Sequence, residues 1–239
     1  MRRIPFALFA LSTVVLVPGL TARGQAPAME APARSFVVPI QRPPELKQEY
    51  FRAERAWHAG SSLIEAKARL DRVLLRLPDD HEALRLRARV SLDLGRVADA
   101  LLDAQRAVTL IETDPDAWLL LAETCLRGGD RKSALEAMEQ AAARVDERPD
   151  DHLRLSWIAQ ELGFLDRAET HARVGLAMDA PRPTALRRLA HVFMAQNRPD
   201  DAARLLARAL DEGSCRIDLV TTDPVLAPLG AHPLLARWF

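Results

Sequence analysis

The stretch Asp116-Ala117-Trp118-Leu119-Leu120-Leu121-Ala122, which runs on to Gly128-Gly129, decides the fold. Its apolar residues recur at helical spacing, and paired glycines typically end a helix. Working outward from this stretch, one alanine recurs every 34 residues: Ala66, Ala100, Ala134, Ala168 and Ala202. A small residue at a fixed interval predicts repeated copies of one supersecondary unit.

Two further columns of residues share this period. One holds residues that suit a left-handed turn: Ser61, Gly95, Gly129, Gly163 and Asn197. The other keeps small residues where two helices would cross closely: Ala88, Ala122, Ser156 and Ala190. Each unit is therefore predicted to be a helix, a tight turn and a second helix. Five units fit the chain: 47–80, 81–114, 115–148, 149–182 and 183–216.

A 34-residue unit with these columns resembles the tetratricopeptide repeat, with Trp118, Leu121 and Ala122 at key positions of its start motif. The resemblance implies an all-α fold, a right-handed superhelical solenoid of antiparallel helix pairs. The first unit departs most from the pattern, with Glu54 where a small residue is expected. Arg87 and His152 also stand at normally apolar positions.

The N-terminal 46 residues have a different composition. A basic start, an apolar run and small residues predict a cleaved signal peptide over 1–26, so we expect an exported, periplasmic protein without a membrane span in the mature chain. An uncleaved anchor is the alternative. Residues 27–46 are predicted to be a disordered Pro/Ala-rich linker. Its apolar patch, at 35–40, would either dock on the repeats or bind a partner.

The C-terminal segment 217–239 is predicted to cap the array, because a solenoid otherwise ends in an exposed apolar face. The residues expected to cover that face are Leu226, Leu229, Leu234, Trp238 and Phe239. A frayed tail is the alternative. Cys125 and Cys215 lie almost three units apart, too far for a disulfide. Cys125 is predicted to be a core residue, and Cys215 an exposed one open to an intermolecular link.

The composition and motifs argue against catalysis. The 33 basic and 33 acidic residues balance, so no global field favours nucleic acid. Asp79-Asp80-His81 and Asp150-Asp151-His152 fit helix starts better than metal sites. His191 has no evident carboxylate partner in the sequence. We therefore predict no enzyme activity, no cofactor and no metal, with an enzyme or metal carrier as the alternative.

The resemblance also implies that the first helix of each unit lines a concave groove. The predicted partner-binding residues are Arg52, Arg55, Arg85, Arg89, Leu119, Leu120, Arg154, Trp157, Arg187, Arg188 and His191. Arginines at both ends and an apolar middle favour an acidic–apolar–acidic ligand, either a protein segment or an anionic glycan. Alternatively, the arginines pair with local acids such as Glu54, Glu82 and Asp93.

These patterns together predict a non-catalytic scaffold of the cell envelope that binds a protein or peptide in its groove. Two alternatives remain open. The first is a self-association module that uses the convex face or the ends of the array. The second is a binder of an anionic polysaccharide in an envelope assembly system.

Overall fold

The structure, a computed structural model, describes residues 40–60, 62–145, 148–178 and 182–238. The predicted signal peptide, residues 27–39 of the linker, Ser61 and Phe239 lie outside these ranges. Ten long helices occur within them: α1 Pro44–His58, α2 Leu63–Arg76, α3 His81–Asp93, α4 Val97–Leu110, α5 Pro115–Arg127, α6 Arg131–Ala142, α7 Pro149–Glu161, α8 Leu165–Ala177, α9 Arg182–Ala195 and α10 Pro199–Asp211. A short helix, α11 (Asp218–Thr221), and 3-10 turns at Ala227–Ala231 and Ala236–Trp238 follow.

The helices stack in pairs along the chain. Each odd-numbered helix from α1 to α9 packs against the even-numbered helix that follows it, and each even-numbered helix from α2 to α8 packs against the next odd-numbered one. Successive odd-numbered helices also contact one another, whereas successive even-numbered helices have at most marginal contact. The odd-numbered helices therefore form the inner, concave side. The prediction of an all-α solenoid of helix pairs is confirmed.

The alanine and glycine columns explain how each pair closes. All five alanines of the 34-residue column are fully buried, because a side chain ending at Cβ lets the even-numbered helix approach its neighbours closely. The turn column adopts left-handed backbone conformations, with φ of 73° at Gly95, 80° at Gly129, 86° at Gly163 and 57° at Asn197. Both predicted roles are thus observed.

Replacing Gly129 with alanine is expected to lower the free energy of unfolding by about 1 kcal/mol, because an L side chain strains a left-handed residue. A Cβ atom at this position would meet nothing within 4 Å, so the cost is confined to the backbone. Gly128 is a matched control, since its φ of −80° suits alanine. Urea denaturation of both variants checks this, and equal stabilities would contradict it.

The arginine at an apolar position of the second unit is accommodated by a fork of carboxylates. Arg87 Nε and Nη2 each donate to Asp103 at 2.7 Å, and Nη1 donates to Asp71 at 2.8 Å. Asp103 is buried, so a charged pair replaces the apolar contact expected between α3 and α4. The departure from the repeat pattern changes local packing and leaves the fold intact.

The chain before α1 is tied to the start of α3. Arg42, with 8% of its side chain exposed, donates to Asp80 at 2.5 Å and to Glu82 at 2.7 Å. Its guanidinium also stacks 4.0 Å from the ring centroid of Tyr50. Because α1 begins at Pro44, the first helix starts inside the segment assigned to the linker.

The C-terminal segment covers the end of the array, with one difference from the prediction. Leu226 and Leu229 are buried against α9 and α10, and Trp238 packs on the same cluster. Leu234 is exposed instead, and its neighbour Leu235 is the fully buried residue, since the turn at this point directs Leu234 outward.

Both cysteines are buried free thiols. Cys125 is in the core, as predicted. The prediction that Cys215 is exposed is wrong, because it packs against Leu186 and Ala209 beneath the last pair.

Candidate binding groove

Two depressions lie along the odd-numbered helices. The proximal depression, of about 660 Å³, is lined by Trp57, Arg89, Leu92, Asp93, Asp116, Glu123, Arg127, Arg148, Pro149, Asp150, Asp151 and Arg154. The distal depression, of about 610 Å³, is lined by Leu92, Glu123, Arg127, Asp150, Leu153, Arg154, Trp157, Thr184, Arg187, Arg188, His191 and Asp223. Because they share five lining residues, the two depressions form one continuous groove.

The predicted groove residues divide into three groups. Arg89, Arg154, Trp157, Arg187, Arg188 and His191 line the groove. Arg52 and Arg55 are exposed on α1 and line neither depression, and Arg85 is half-buried beneath the surface. Leu119 and Leu120 are fully buried, so their assignment to the groove is wrong. Both face the core because they occupy the stripe of α5 that packs on its neighbouring helices.

Asp116, at the start of α5, holds three arginines from the two neighbouring inner helices. It accepts from Arg85 Nη1 at 2.8 Å and from Arg89 Nη2 at 2.6 Å, both on α3. It also accepts from Arg154 Nη1 on α7, and Arg154 Nε donates to Glu123 at 2.7 Å. The cluster thus joins α3, α5 and α7 across the floor of the proximal depression.

The pKa of Asp116 reflects this cluster. Burial would raise the pKa, but the charges of Arg89, Arg154 and Arg85 outweigh burial and lower it to about 2. The carboxylate is therefore ionised at neutral pH. With four arginines facing five carboxylates, the proximal depression neutralises its own charge.

Three of the four arginines that line the proximal depression pair with acids, although not with the acids expected. Arg89 pairs with Asp116 and Arg154 with Glu123, both acids of the third unit. Arg148 pairs with Asp151. Asp93 instead accepts from the indole of Trp57 at 2.7 Å, and Glu82 accepts from Arg42. The predicted positive end at α1 and α3 is consequently absent from the groove that the described residues form.

The distal depression contains arginine side chains that are unpaired among the described residues. Among the described residues, the side chains of Arg127 and Arg187 have no hydrogen bond or ion pair. Arg188 donates to Gln160, while its Nε is buried without a partner, and burial lowers its pKa. The half-buried Trp157 adds an aromatic ring beside these guanidinium groups. Four arginines face three carboxylates here, so the balance of charge reverses along the groove.

The C-terminal segment supplies one wall of the distal depression. His191 Nε2 lies 2.7 Å from Asp223 Oδ2, which provides the carboxylate partner that the sequence did not reveal. Burial lowers the pKa of His191, and the bond to Asp223 offsets only part of this effect. The neutral imidazole therefore donates to the ionised carboxylate at neutral pH.

Several groove residues were missed at the sequence level. Asp116 and Arg127 lie at helical spacing from Glu123 on α5, one at each end of the predicted inward stripe, so extending that stripe by one turn at each end would have found them. Thr184 and Asp223 gave no such signal. Asp223 reaches the groove only because the C-terminal segment folds back over α9.

Two negative findings apply to the ranges that the structure covers. No cluster of three or more His, Cys, Asp or Glu side chains there could hold a metal ion. No helix in those ranges has the length and apolar character needed to cross a bilayer.

Known proteins that match this chain share its architecture of stacked helix pairs. A family model described as tetratricopeptide repeat matches residues 63–115 and 153–214. No curated protein matches the chain significantly.

Solved structures of low sequence identity share the fold. A tetratricopeptide-repeat protein of Thermus thermophilus, TTC0263, is 24% identical with a TM-score of 0.63; the match covers 73% of this chain and 94% of that one. PilW, a type IV pilus biogenesis factor, is 15% identical with a TM-score of 0.62, covering 82% and 99%. MamA of Desulfovibrio magneticus RS-1 is 16% identical with a TM-score of 0.55, covering 71% and 95%. With its 34-residue columns, stacked helix pairs and family match, the chain belongs to the tetratricopeptide-repeat family.

Proposed function

We propose that this protein is a non-catalytic scaffold that binds a segment of a partner protein in the groove, with the distal depression as the main contact. The proposal is carried by the guanidinium groups of Arg127, Arg187 and Arg188 around Trp157, which have no ion-pair partner within the part of the chain that the structure describes. Arginine and tryptophan are the residues that most often dominate protein interfaces. The groove extends from Trp57 on α1 to His191 on α9, which also suits an extended or helical peptide.

The partner segment is expected to combine carboxylates with an apolar side chain. Guanidinium forks bind carboxylates through two parallel hydrogen bonds. The acidic residues would lie over the distal depression, because Arg89, Arg148 and Arg154 of the proximal depression already have carboxylate partners. This revises the symmetrical acidic–apolar–acidic ligand suggested by the sequence. Contact with Trp157 would supply the apolar part.

The proposed place of action is the cell envelope. A basic start followed by an apolar run supports export through a signal peptide. The fold hosts related roles in other proteins: PilW is a type IV pilus biogenesis factor, and YrrB, a fold relative with a TM-score of 0.51, has an unusual peptide-binding site. The proposal for this chain rests on its own groove, since the fold alone does not specify a partner.

Charge reversal in the distal depression is expected to weaken partner binding. In Arg127→Glu and Arg187→Glu variants, each lost charge-assisted contact should weaken binding about 10- to 100-fold. A photo-crosslinking amino acid at Thr184, an exposed lining position, would capture the partner in cells for identification by mass spectrometry. The affinity of the purified partner for the full chain is then measured for each variant.

Two controls make this test specific. Arg131→Glu removes an exposed arginine on α6, outside the groove, that also has no side-chain partner among the described residues. A crosslinker at the exposed Lys132 reports capture on the even-numbered helices. Equal losses in Arg131→Glu, or equal capture from Lys132, would place the contact elsewhere. Capture of the chain itself would instead support the self-association module.

A further inference from the structure

Two histidines meet at the seam between the helices of the fourth pair. His152 on α7 and His171 on α8 place their Nδ1 atoms 3.1 Å apart. Their ring centroids are 5.4 Å apart. This distance equals the separation of the two Nδ1 atoms plus about one imidazole radius for each ring, so the two Nδ1 atoms point directly at each other. Both residues are half-buried. A hydrogen bond between these two atoms requires one ring to be the Nδ1–H tautomer, which donates, and the other ring to accept at Nδ1.

This pair is particular to the fourth unit. The corresponding residues are Trp118 and Ala137 in the third unit, and Leu186 and Leu205 in the fifth. Since the nitrogen lone pairs lie along one line and do not converge on a common point, the geometry suits a shared proton better than a chelated ion. The absence of a third metal ligand in the described part of the chain agrees with this.

We propose that the His152–His171 pair is an acid-sensitive latch for the groove. With one proton between the rings, the pair holds α7 against α8. When both rings are cationic, two N–H groups and two positive charges meet at the same seam, and the helices part. The regulatory consequence rests on the proposed function, because α7 carries Leu153, Arg154 and Trp157 into the distal depression.

The charged groups that act on His171 offer no compensation for a second charge at the seam. The groups that act on His171 are His152 across the seam on α7 and Arg167 one turn earlier on α8, both of which are positive when charged. No carboxylate of the described residues acts on it, and none does so from α9, which packs on the other side of α8. Burial, followed by His152 and Arg167, lowers the pKa of His171 to about 4.

The sign of the pH dependence follows from this shift. The unfolded chain binds a proton at His171 near its ordinary pKa of 6.5, whereas the folded chain does so only near 4. Stability from this site is therefore complete above pH 6.5 and is lost as the pH falls toward 4. Across that window, the unfolding equilibrium constant should rise about tenfold for each pH unit of acidification from this site.

The test replaces both histidines with leucine, the residue found at both equivalent positions of the fifth unit. The full-length His152→Leu/His171→Leu double variant is compared with the unaltered protein by urea denaturation at intervals between pH 7.5 and 4.5. We expect similar stability at pH 7.5 and a shallower loss of stability in the variant as the pH falls. His58→Asn is the control, because it removes an exposed histidine of α1 that lines neither depression and keeps the latch. Parallel pH profiles for the double variant and the unaltered protein would overturn the proposal.

A second measurement does not depend on a variant that folds. Proton NMR titration of the unaltered protein should show one imidazole titrating well below pH 6, together with broadening of α7 and α8 resonances as it becomes charged. Ordinary titration of every histidine near 6.5 would overturn the latch. Both measurements are made without a partner, so failure of the groove proposal would leave their outcome unchanged. Failure of the latch proposal would likewise leave partner binding at pH 7.5 unchanged.

Discussion

Replacing Asp116 with alanine is expected to lower the free energy of unfolding by about 3 kcal/mol, since removal of the central member of a half-buried charge cluster leaves its partners uncompensated. Arg85, Arg89 and Arg154 all lose a carboxylate partner in this variant. Because these side chains join α3, α5 and α7, we expect cooperative unfolding of the central units at lower urea concentration. Circular dichroism at 222 nm during urea titration measures this directly.

Glu136→Ala provides the control for Asp116→Ala. Glu136 forms a long 3.9 Å ion pair with Lys132 on the exposed face of α6, and such pairs contribute at most about 1 kcal/mol. A loss in Asp116→Ala no larger than in Glu136→Ala would show that the cluster does not stabilise the array.

The depressed pKa of Asp116 adds a pH signature. Its folded value of about 2 lies below the ordinary 3.8, so the stability it contributes is present above pH 3.8 and is lost as the pH falls toward 2. This window lies below that of His171, so the two contributions can be separated by pH.

Replacing Leu120 with alanine is expected to lower the free energy of unfolding by about 2–5 kcal/mol, the range for a large side chain removed from a packed core. Leu120 is fully buried among Ala88, Leu92, Ala100 and Ala104. The three alanines among these neighbours cannot extend into the space that the substitution opens. Urea denaturation measures the loss, and Leu102→Ala is the matched control because Leu102 is 67% exposed on α4.

The same variant separates the two roles considered for Leu120. A residue of the core should change stability and leave the affinity of the folded protein for its partner nearly unaltered. A variant of unchanged stability that loses its partner would restore Leu120 to the groove. Measuring affinity well below the unfolding temperature keeps the two effects distinct.

The sequence alone determined the repeated helix pairs and the turns between them, and its family resemblance implied which helices form the inner wall. The pairs and turns depend on local requirements: Gly129 must tolerate a left-handed turn, and Ala134 must admit a close helix. Such requirements recur every 34 residues and are therefore visible in the sequence. The same period shows that Arg87 and His152 occupy normally apolar positions, although it does not predict which residues they contact.

Only the tertiary structure decided which charges remain free. Arg85 and Arg187 occupy the same position of the 34-residue repeat, yet Asp116 pairs with Arg85, whereas Arg187 is unpaired among the residues described. Asp116 pairs with Arg85, Arg89 and Arg154 across separations of 31, 27 and 38 positions, which follow no fixed period. A repeat pattern specifies the backbone of each unit, whereas an ion pair depends on where long side chains from separate units meet in space.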